Sequence, residues 1–324
     1  MELIRGIHNI KPRHRGCVLT IGNFDGVHQG HHAVLARLQE KAVQLGLPAC
    51  VMLFEPQPLE LFAGNAAPAR LSRWREKYEA LKGMQIDRML CVRFTHRFAE
   101  QAASTFIEQL LVEKLGVHYL VVGDDFRFGK GREGDFHLLE AAGRRFGFEV
   151  ISTQSFQVER QRVSSTLVRE ALAAGRMAEV ELMLGRPYAI SGRVAHGDKL
   201  GRTIGFPTAN LALKRQVIPV GGVFAVEVLC SGKTFPGVAN VGVRPTLSGT
   251  QARLEVHLFD FSGDLYGQQV KVLLRHKLRE EQKFASFTAL KEQIERDALA
   301  ARAWFGLPPF NLPSTLLEKK GTQD

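Results

Sequence analysis

The sequence predicts an α/β domain followed by an all-β one. The first half of the 324-residue chain alternates continuous apolar runs with amphipathic stretches, as in a parallel sheet covered on both faces by helices. The second half strings several strand-like runs together without helices between them, the pattern of an antiparallel barrel. Pro187 breaks helical continuity where the character changes. The expected organisation is one domain over 1–185, a second over 186–310 and a polar tail over 311–324, and the chain is long enough for two cores.

In the first half the apolar runs Val18–Ile21, Ala49–Phe54, Arg88–Phe94, Tyr119–Val122 and Glu149–Thr153 read as buried strands. Helical patterns lie between them at His31–Leu45, Arg73–Lys82, Ala102–Leu115 and Phe136–Phe146. Gly46, Gly116 and Gly147 stand where helices end in the left-handed conformation. Ser164–Thr166 can cap a helix from Leu167 to Ala174, and a second helix spans Met177–Leu184. In the second half Tyr188–His196, Val223–Cys230, Thr234–Val241, Ala252–Phe261 and Gln269–His276 read as strands, and Phe284–Trp304 as a closing helix. Leu254, Val256 and Leu258 alternate with Glu255, His257 and Phe259, the period of a half-buried strand. The Gly197–Gly222 connection reads as a long loop, and loops of that length inside compact domains are usually functional.

Net charge is +10, which suits anionic ligands. The basic residues are spread out with no block of like charge, so anionic small molecules fit better than nucleic acid. Four scattered cysteines show no C-x-x-C spacing, which suits buried thiols in a reducing compartment and gives no zinc site. No secretory leader and no apolar run near 18 residues occur, so the expectation is a cytoplasmic chain without membrane contact.

The most informative stretch is Thr20–Leu38, TIGNFDGVHQGHHAVLARL. A strand runs into a glycine turn that opens a helix with His28 and His31 on one face. Free N–H groups and the positive end of the helix dipole make such a place a polyphosphate site. Nucleotidyl transfer needs no protein nucleophile, only alignment and charge stabilisation, which two imidazoles can supply. Gly22, Asn23, Phe24, Asp25 and Gly26 shape the turn. SSTLVR (Ser164–Arg169) heads another helix, with Arg169 one turn in as a candidate clamp on phosphate oxygens. GDDFRFGKG (Gly123–Gly131) ends a strand with acids and aromatics, and no P-loop sequence occurs. In GRTIGFPTAN (Gly201–Asn210), Thr208 and Asn210 offer hard oxygens to Mg²⁺, which takes few protein ligands and many from phosphate and water. Glu255 is a candidate general base if its strand face lines a pocket.

Together GNFDGVHQGH, GDDFRFG, SSTLVR, GRTIGFPTAN, GVANVGVRPT (Gly237–Thr246), LEVHLFDF (Leu254–Phe261) and DLYG (Asp264–Gly267) resemble the prokaryotic bifunctional riboflavin kinase/FAD synthetase family over roughly Val18 to Leu307. The resemblance implies a Rossmann-like nucleotidyltransferase sheet and a riboflavin-kinase barrel. It implies that the second domain converts riboflavin and ATP to FMN, and that the first converts FMN and ATP to FAD and pyrophosphate. Carried over, Glu255, His28, His31 and Arg169 are the catalytic residues. Gly22, Asn23, Phe24, Asp25, Gly26, Ser164, Ser165 and Thr166 would bind ATP in one site, and Gly201, Gly205, Pro207, Thr208 and Asn210 in the other. Asp125, Phe126, Phe128 and Arg244 would meet flavin, and Mg²⁺ would sit at Thr208 with Asn210 nearby. Expected partners are riboflavin, FMN, FAD and ATP, with a monomer or weak homo-oligomer and neither nucleic acid nor membrane. Two departures stand out: Phe54–Pro58 reads FEPQP where the family usually has histidine at Gln57, and Phe224 replaces a common tyrosine. Two rival readings are a single-activity H-x-G-H nucleotidyltransferase with a binding-only barrel and a basic RNA-binding protein. The intact PTAN segment and Glu255 argue against the first. The lack of clustered basic and aromatic residues on the barrel strands argues against the second.

Overall fold

A computed structural model describes residues 1–153, 163–195, 205–213, 217–246 and 249–310; within these, the side chains of 65, 212, 243–246 and 249–251 are left aside. The chain divides into two compact units. The first holds Met1–Glu170 with Leu182–Gly185 and Val217–Pro219, and the second holds Ala171–Glu181, Arg186–Gln216 and Val220–Asp324.

The first unit is a six-stranded parallel sheet: β1 (Glu2–Arg5), β2 (Cys17–Ile21), β3 (Ala49–Glu55), β4 (Arg88–Arg93), β5 (Val117–Val122) and β6 (Glu149–Ser152). Their spatial order is β1-β4-β3-β2-β5-β6. All residues of β2 are buried, as a central strand with two covered faces requires. The chain leaves β2 towards β3 and β4 on one side and later returns to lay β5 and β6 on the other. The order therefore reverses between β2 and β5, and in open α/β sheets the ligand crevice lies beyond the strand ends at such a reversal. Both motif turns, after Ile21 and after Val122, open at that place.

The helices of the first unit are α1 (Gln29–Leu45), α2 (Pro58–Ala63), α3 (Trp74–Gly83), α4 (His96–Ala99), α5 (Ala103–Thr105) and α6 (Phe136–Phe146), and α7 (Ser165–Ala173) and α8 (Met177–Leu184) each have residues in both units. α1 buries Leu35, Leu38 and Ala42 along one stripe and ends at Gly46, whose φ of 63° only glycine adopts cheaply. The expected Ala102–Leu115 helix is instead α5 followed by a π-helical stretch, Phe106–Lys114. That stretch buries Phe106, Ile107, Leu110 and Leu111. β1 and α2 were not expected from the sequence; β1 is four residues long and pairs only with β4, at the sheet edge.

The second unit is a closed barrel in the order β10-β11-β8-β7-β12-β9. Its strands are β7 (Tyr188–Ala195), β8 (Ala209–Ala212), β9 (Gly222–Cys230), β10 (Lys233–Thr246), β11 (Gly249–Leu258) and β12 (Gln269–Arg279). Inside it Val226, Val228, Val241, Leu254, Val256 and Val272 are almost fully buried, so the interior is a packed core. α9 (Phe287–Trp304) lies on the outer face, where Ala298 and Ala301 meet Val223, Ala225, Val238, Phe206 and Phe259. Small residues on α9 let it approach the strands closely. The long connection corrects the reading of Gly197–Gly222 as a loop, because it contains β8 and places Asn210 in the barrel wall.

Candidate active sites

The GNFDGVH turn of the first unit has an uncommon backbone. Phe24 and Val27 have φ of 47° and 42°, and Gly26 has 84°. Left-handed geometry at bulky residues is strained and persists only where surroundings enforce it. Asp25, 3% exposed, supplies much of that enforcement. Its Oδ2 accepts from the Leu71 N–H at 3.0 Å and from Arg169 Nη2 at 2.6 Å. Its Oδ1 accepts from the Ser72 N–H at 3.0 Å. The Gly26 N–H donates to Ser72 Oγ at 2.9 Å, and Ser165 Oγ donates to the Asp25 carbonyl at 2.9 Å. One carboxylate thus ties together the turn, the 69–73 segment and the start of α7. From the other side Lys77, fully buried on α3, donates to the Asn23 carbonyl at 2.6 Å.

This geometry gives Arg169 partners within the protein. Its Nε donates to the Ala69 carbonyl at 2.6 Å and its Nη2 is held by Asp25. A buried carboxylate demands a cation, and Arg169 meets that demand, so it helps to assemble the site. Ser164 Oγ accepts from the Leu167 N–H at 3.3 Å as a helix cap, and Thr166 is exposed in the first turn of α7.

His28 and His31 come together as expected, with ring centroids 3.7 Å apart and nearly parallel. His28 is 6% exposed. The His28 N–H donates to His31 Nδ1 at 3.3 Å, so a neutral His31 carries its proton on Nε2. Gly30 between them is needed for packing: a Cβ there would stand 2.8 Å from the Val163 carbonyl oxygen and 3.1 Å from the His28 ring. The H-x-G-H glycine is therefore what lets α1 touch the segment leading into α7.

The flavin-side expectations divide. Asp125 and Phe126 stand at the open end of β5, Asp125 exposed and Phe126 half-buried. Phe128 is 8% exposed and packs on Phe106 at 5.1 Å, so it belongs to the core that supports the loop. Sequence reasoning missed a more accessible aromatic group. Phe62 is 60% exposed and meets Phe94 at 6.0 Å and His96 at 5.8 Å, all just past the ends of β3 and β4. Phe94 joins these rings to Phe54 and Phe98. Gln57, where the family resemblance expects histidine, is 9% exposed; its N–H donates to Glu60 at 2.9 Å, and its Nε2 has no partner among the described residues.

In the barrel, strand register builds the second site. Glu255 on β11 is opposite Asn210 on β8 and opposite Asn240 on β10, and Asn240 is opposite Val223 on β9. Directly opposed residues share a sheet face, so these side chains form one row. The row continues the face on which α9 packs at Val223, so it lies outside the barrel. The interior is already filled by the alternate residues Leu254 and Val256. Asn240 Nδ2 donates to Glu281 at 3.3 Å, while its Oδ1 is buried with no partner among the described residues. Gly242, two residues on, leaves room for the Glu281 carboxylate, which a Cβ would overlap.

The GFPTAN segment is fastened to this row. Phe206 is 7% exposed in the cluster under α9 and meets the His257 ring at 5.1 Å. His257 Nδ1–H donates to the Pro207 carbonyl at 2.9 Å. Burial pushes the His257 imidazole below its usual pKa, which keeps it neutral. Asn210 Nδ2 lies 3.4 Å from the Thr208 carbonyl, which turns its Oδ1 the other way. Thr208 Oγ and Asn210 Oδ1 are hard oxygens of the kind Mg²⁺ takes, with phosphate and water completing its shell. Among the described residues no group of three or more His, Cys, Asp or Glu could hold a metal. Gly205 and Pro207 are exposed beside this row; Gly201 lies outside the described residues, and Arg244 is placed only as the backbone partner of Gln251.

Sequence reasoning also missed Ser72, Lys77, Asn240, His257 and Glu281. Each acts through a partner far along the chain, and the GVANVG and EVH spellings were the only local hints for Asn240 and His257.

Comparison with known proteins agrees across the whole chain. Residues 10–167 match the FAD synthetase family model and residues 184–305 the riboflavin kinase family model. The chain is 60% identical over 309 residues to the bifunctional riboflavin kinase/FMN adenylyltransferase of Escherichia coli K12, covering 95% of this chain and 99% of that one. It is 54% identical to the protein of the same description from Pseudomonas fluorescens, covering 94% and 97%. A solved structure described as a macrolide-efflux protein from Streptococcus pneumoniae superposes with a TM-score of 0.77 at 30% identity, over 94% of this chain and 100% of that one. Among the described residues no helix is long and apolar enough to cross a membrane.

Proposed function

The chain belongs to the bifunctional riboflavin kinase/FMN adenylyltransferase family, and we propose how its own residues divide the two reactions. It phosphorylates riboflavin to FMN in the C-terminal domain and adenylylates FMN to FAD in the N-terminal one. The assignment of domains is 1–185 to adenylyl transfer and 186–310 to phosphorylation.

In the kinase site the ribityl hydroxyl oxygen attacks the γ-phosphorus of ATP, the bond to the bridging oxygen breaks, and ADP leaves. Glu255 takes the hydroxyl proton. Mg²⁺ would be held by Thr208 and Asn210 and would neutralise triphosphate charge. The observation that carries this reading is the row Asn210–Glu255–Asn240, with Thr208 fastened beside it through Pro207 and His257. Asn240 and Glu281 sit where they can orient the ribityl chain.

In the adenylyl-transfer site an FMN phosphate oxygen attacks the α-phosphorus of ATP and pyrophosphate leaves. His28 and His31 donate hydrogen bonds to the phosphates beside the strained turn, and Asp25 and Arg169 hold that turn in place. The exposed ring of Phe62, with Phe94 and His96 beside it on the strand ends, supports an isoalloxazine site there. Four unbridged cysteines support a reducing, cytoplasmic setting.

The test is a product assay with riboflavin, ATP and Mg²⁺ that resolves FMN from FAD. The intact chain should make both, and chelation of Mg²⁺ should stop FMN formation. His28→Ala combined with His31→Ala should stop at FMN. Loss of FMN formation in that double variant would sink the division of labour.

A further inference from the structure

Lys77 is the one lysine among the buried charged residues described, 0% exposed, and neither reaction as described uses it. It lies one turn before Leu81 on the buried face of α3, a position where an apolar residue would ordinarily stand. Burial pushes its ammonium below the usual lysine range, and the negative charge of nearby Asp25 opposes that shift. A buried ammonium is costly unless it is hydrogen-bonded and paired. Its hydrogen bond goes to the Asn23 carbonyl, 2.6 Å away, in the strained turn.

The peptide joining Asn23 to Phe24 is trans, since the cis bond among the described residues is Glu55–Pro56. In a trans peptide the C=O and N–H point in opposite directions. With its oxygen turned to buried Lys77, this unit turns the Phe24 N–H to the opposite side. Among the described residues the Phe24 N–H has no hydrogen-bond partner. A cation on the carbonyl also polarises the peptide and makes its N–H a stronger donor. We propose that Lys77 is a positioning residue for adenylyl transfer: it pins the Asn23 carbonyl so that the Phe24 N–H is aimed at a phosphate oxygen of ATP, with a positive charge behind it. This rests on the adenylyl-transfer reading of the turn.

The experiment uses the full-length chain and its Lys77→Met variant, which keeps the length and loses the charge. FAD formation from FMN and ATP should fall about 100-fold in kcat/KM, the scale seen when one preorganised donor to a reacting phosphate or oxyanion is lost. FMN formation from riboflavin by the same molecules should stay within twofold, which reports a folded chain. A fall of less than threefold in FAD formation overturns the proposal. A second measurement stands even if the variant does not fold. In the unaltered chain labelled with ¹⁵N-phenylalanine, the Phe24 amide proton should move downfield on titration with tripolyphosphate. A Phe24 resonance that stays put while His28 and His31 ring signals respond overturns it. If the unaltered chain makes no FAD at all, the reading of the site fails, not the role of Lys77.

Discussion

Asp25 and Lys77, which build the first site, are 3% and 0% exposed, whereas the Glu255 side chain of the second is 41% exposed. The first site is assembled by buried charge: a carboxylate, an ammonium and a guanidinium brought in from three segments to hold a backbone that would otherwise relax. The second is assembled by register: three strands place Asn210, Glu255 and Asn240 in a row, and one imidazole fastens the GFPTAN segment beside it. Buried ionic contacts are unforgiving, because removing one partner strands the other without water. Strand register is a collective property, and replacing one side chain on its outer face leaves the ladder intact. The comparison teaches that chemistry and stability are separable in the barrel site and joined in the sheet site.

The largest effect should come from Glu255→Gln. It keeps the shape and the register but removes the base, so FMN formation should fall by about 10²–10⁴-fold while the thermal midpoint and FAD formation from supplied FMN hold. A parallel loss of FAD formation would break the comparison. Asp25→Asn should do the opposite. It leaves Arg169 and Lys77 poorly paired, so the first unit should lose about 3 kcal/mol by denaturant titration, together with most of its adenylyl transfer. An unchanged midpoint would show that the turn is held by something else.

Gly30→Ala should be milder. Its added Cβ must push against the Val163 carbonyl, at a cost of about 1–3 kcal/mol, and a sub-ångström shift of His31 should lower adenylyl transfer more than ATP binding. The smallest effect concerns His257. Burial holds its folded-state pKa below the unfolded value of about 6.5. Both states are neutral above about 6.5, so its contribution is fully present there. It is lost as pH falls from that value through the lower folded-state pKa, because the unfolded chain takes up the proton first. Between pH 7 and 5 the midpoint of the barrel should therefore fall less in His257→Asn than in the unaltered chain. Asparagine can still present an N–H to Pro207 but does not titrate.

Much of this was legible locally. The strand–turn–helix context of HQGH and the alternation around Glu255 are patterns within a dozen residues, and the PTAN segment was legible as a motif though not as part of a strand. β1 and β8, four residues each, were not legible because so short a run carries too little periodicity, and their pairing partners lie far away in the chain. The structural partner of Arg169 was not legible for a related reason. Its place at the head of a helix pointed to phosphate, while the carboxylate that claims it is 144 residues distant.

The order of apolar runs, helix caps and motif turns was set by the sequence alone, because a backbone's period and its turn residues act over a few positions. The tertiary structure decided which polar groups meet. It turned Glu255 to the outside of the barrel, because the interior was already filled by Leu254 and Val256. It brought Lys77 beneath Asn23 and Arg169 against Asp25, because a buried charge takes whichever partner the packing of distant segments delivers.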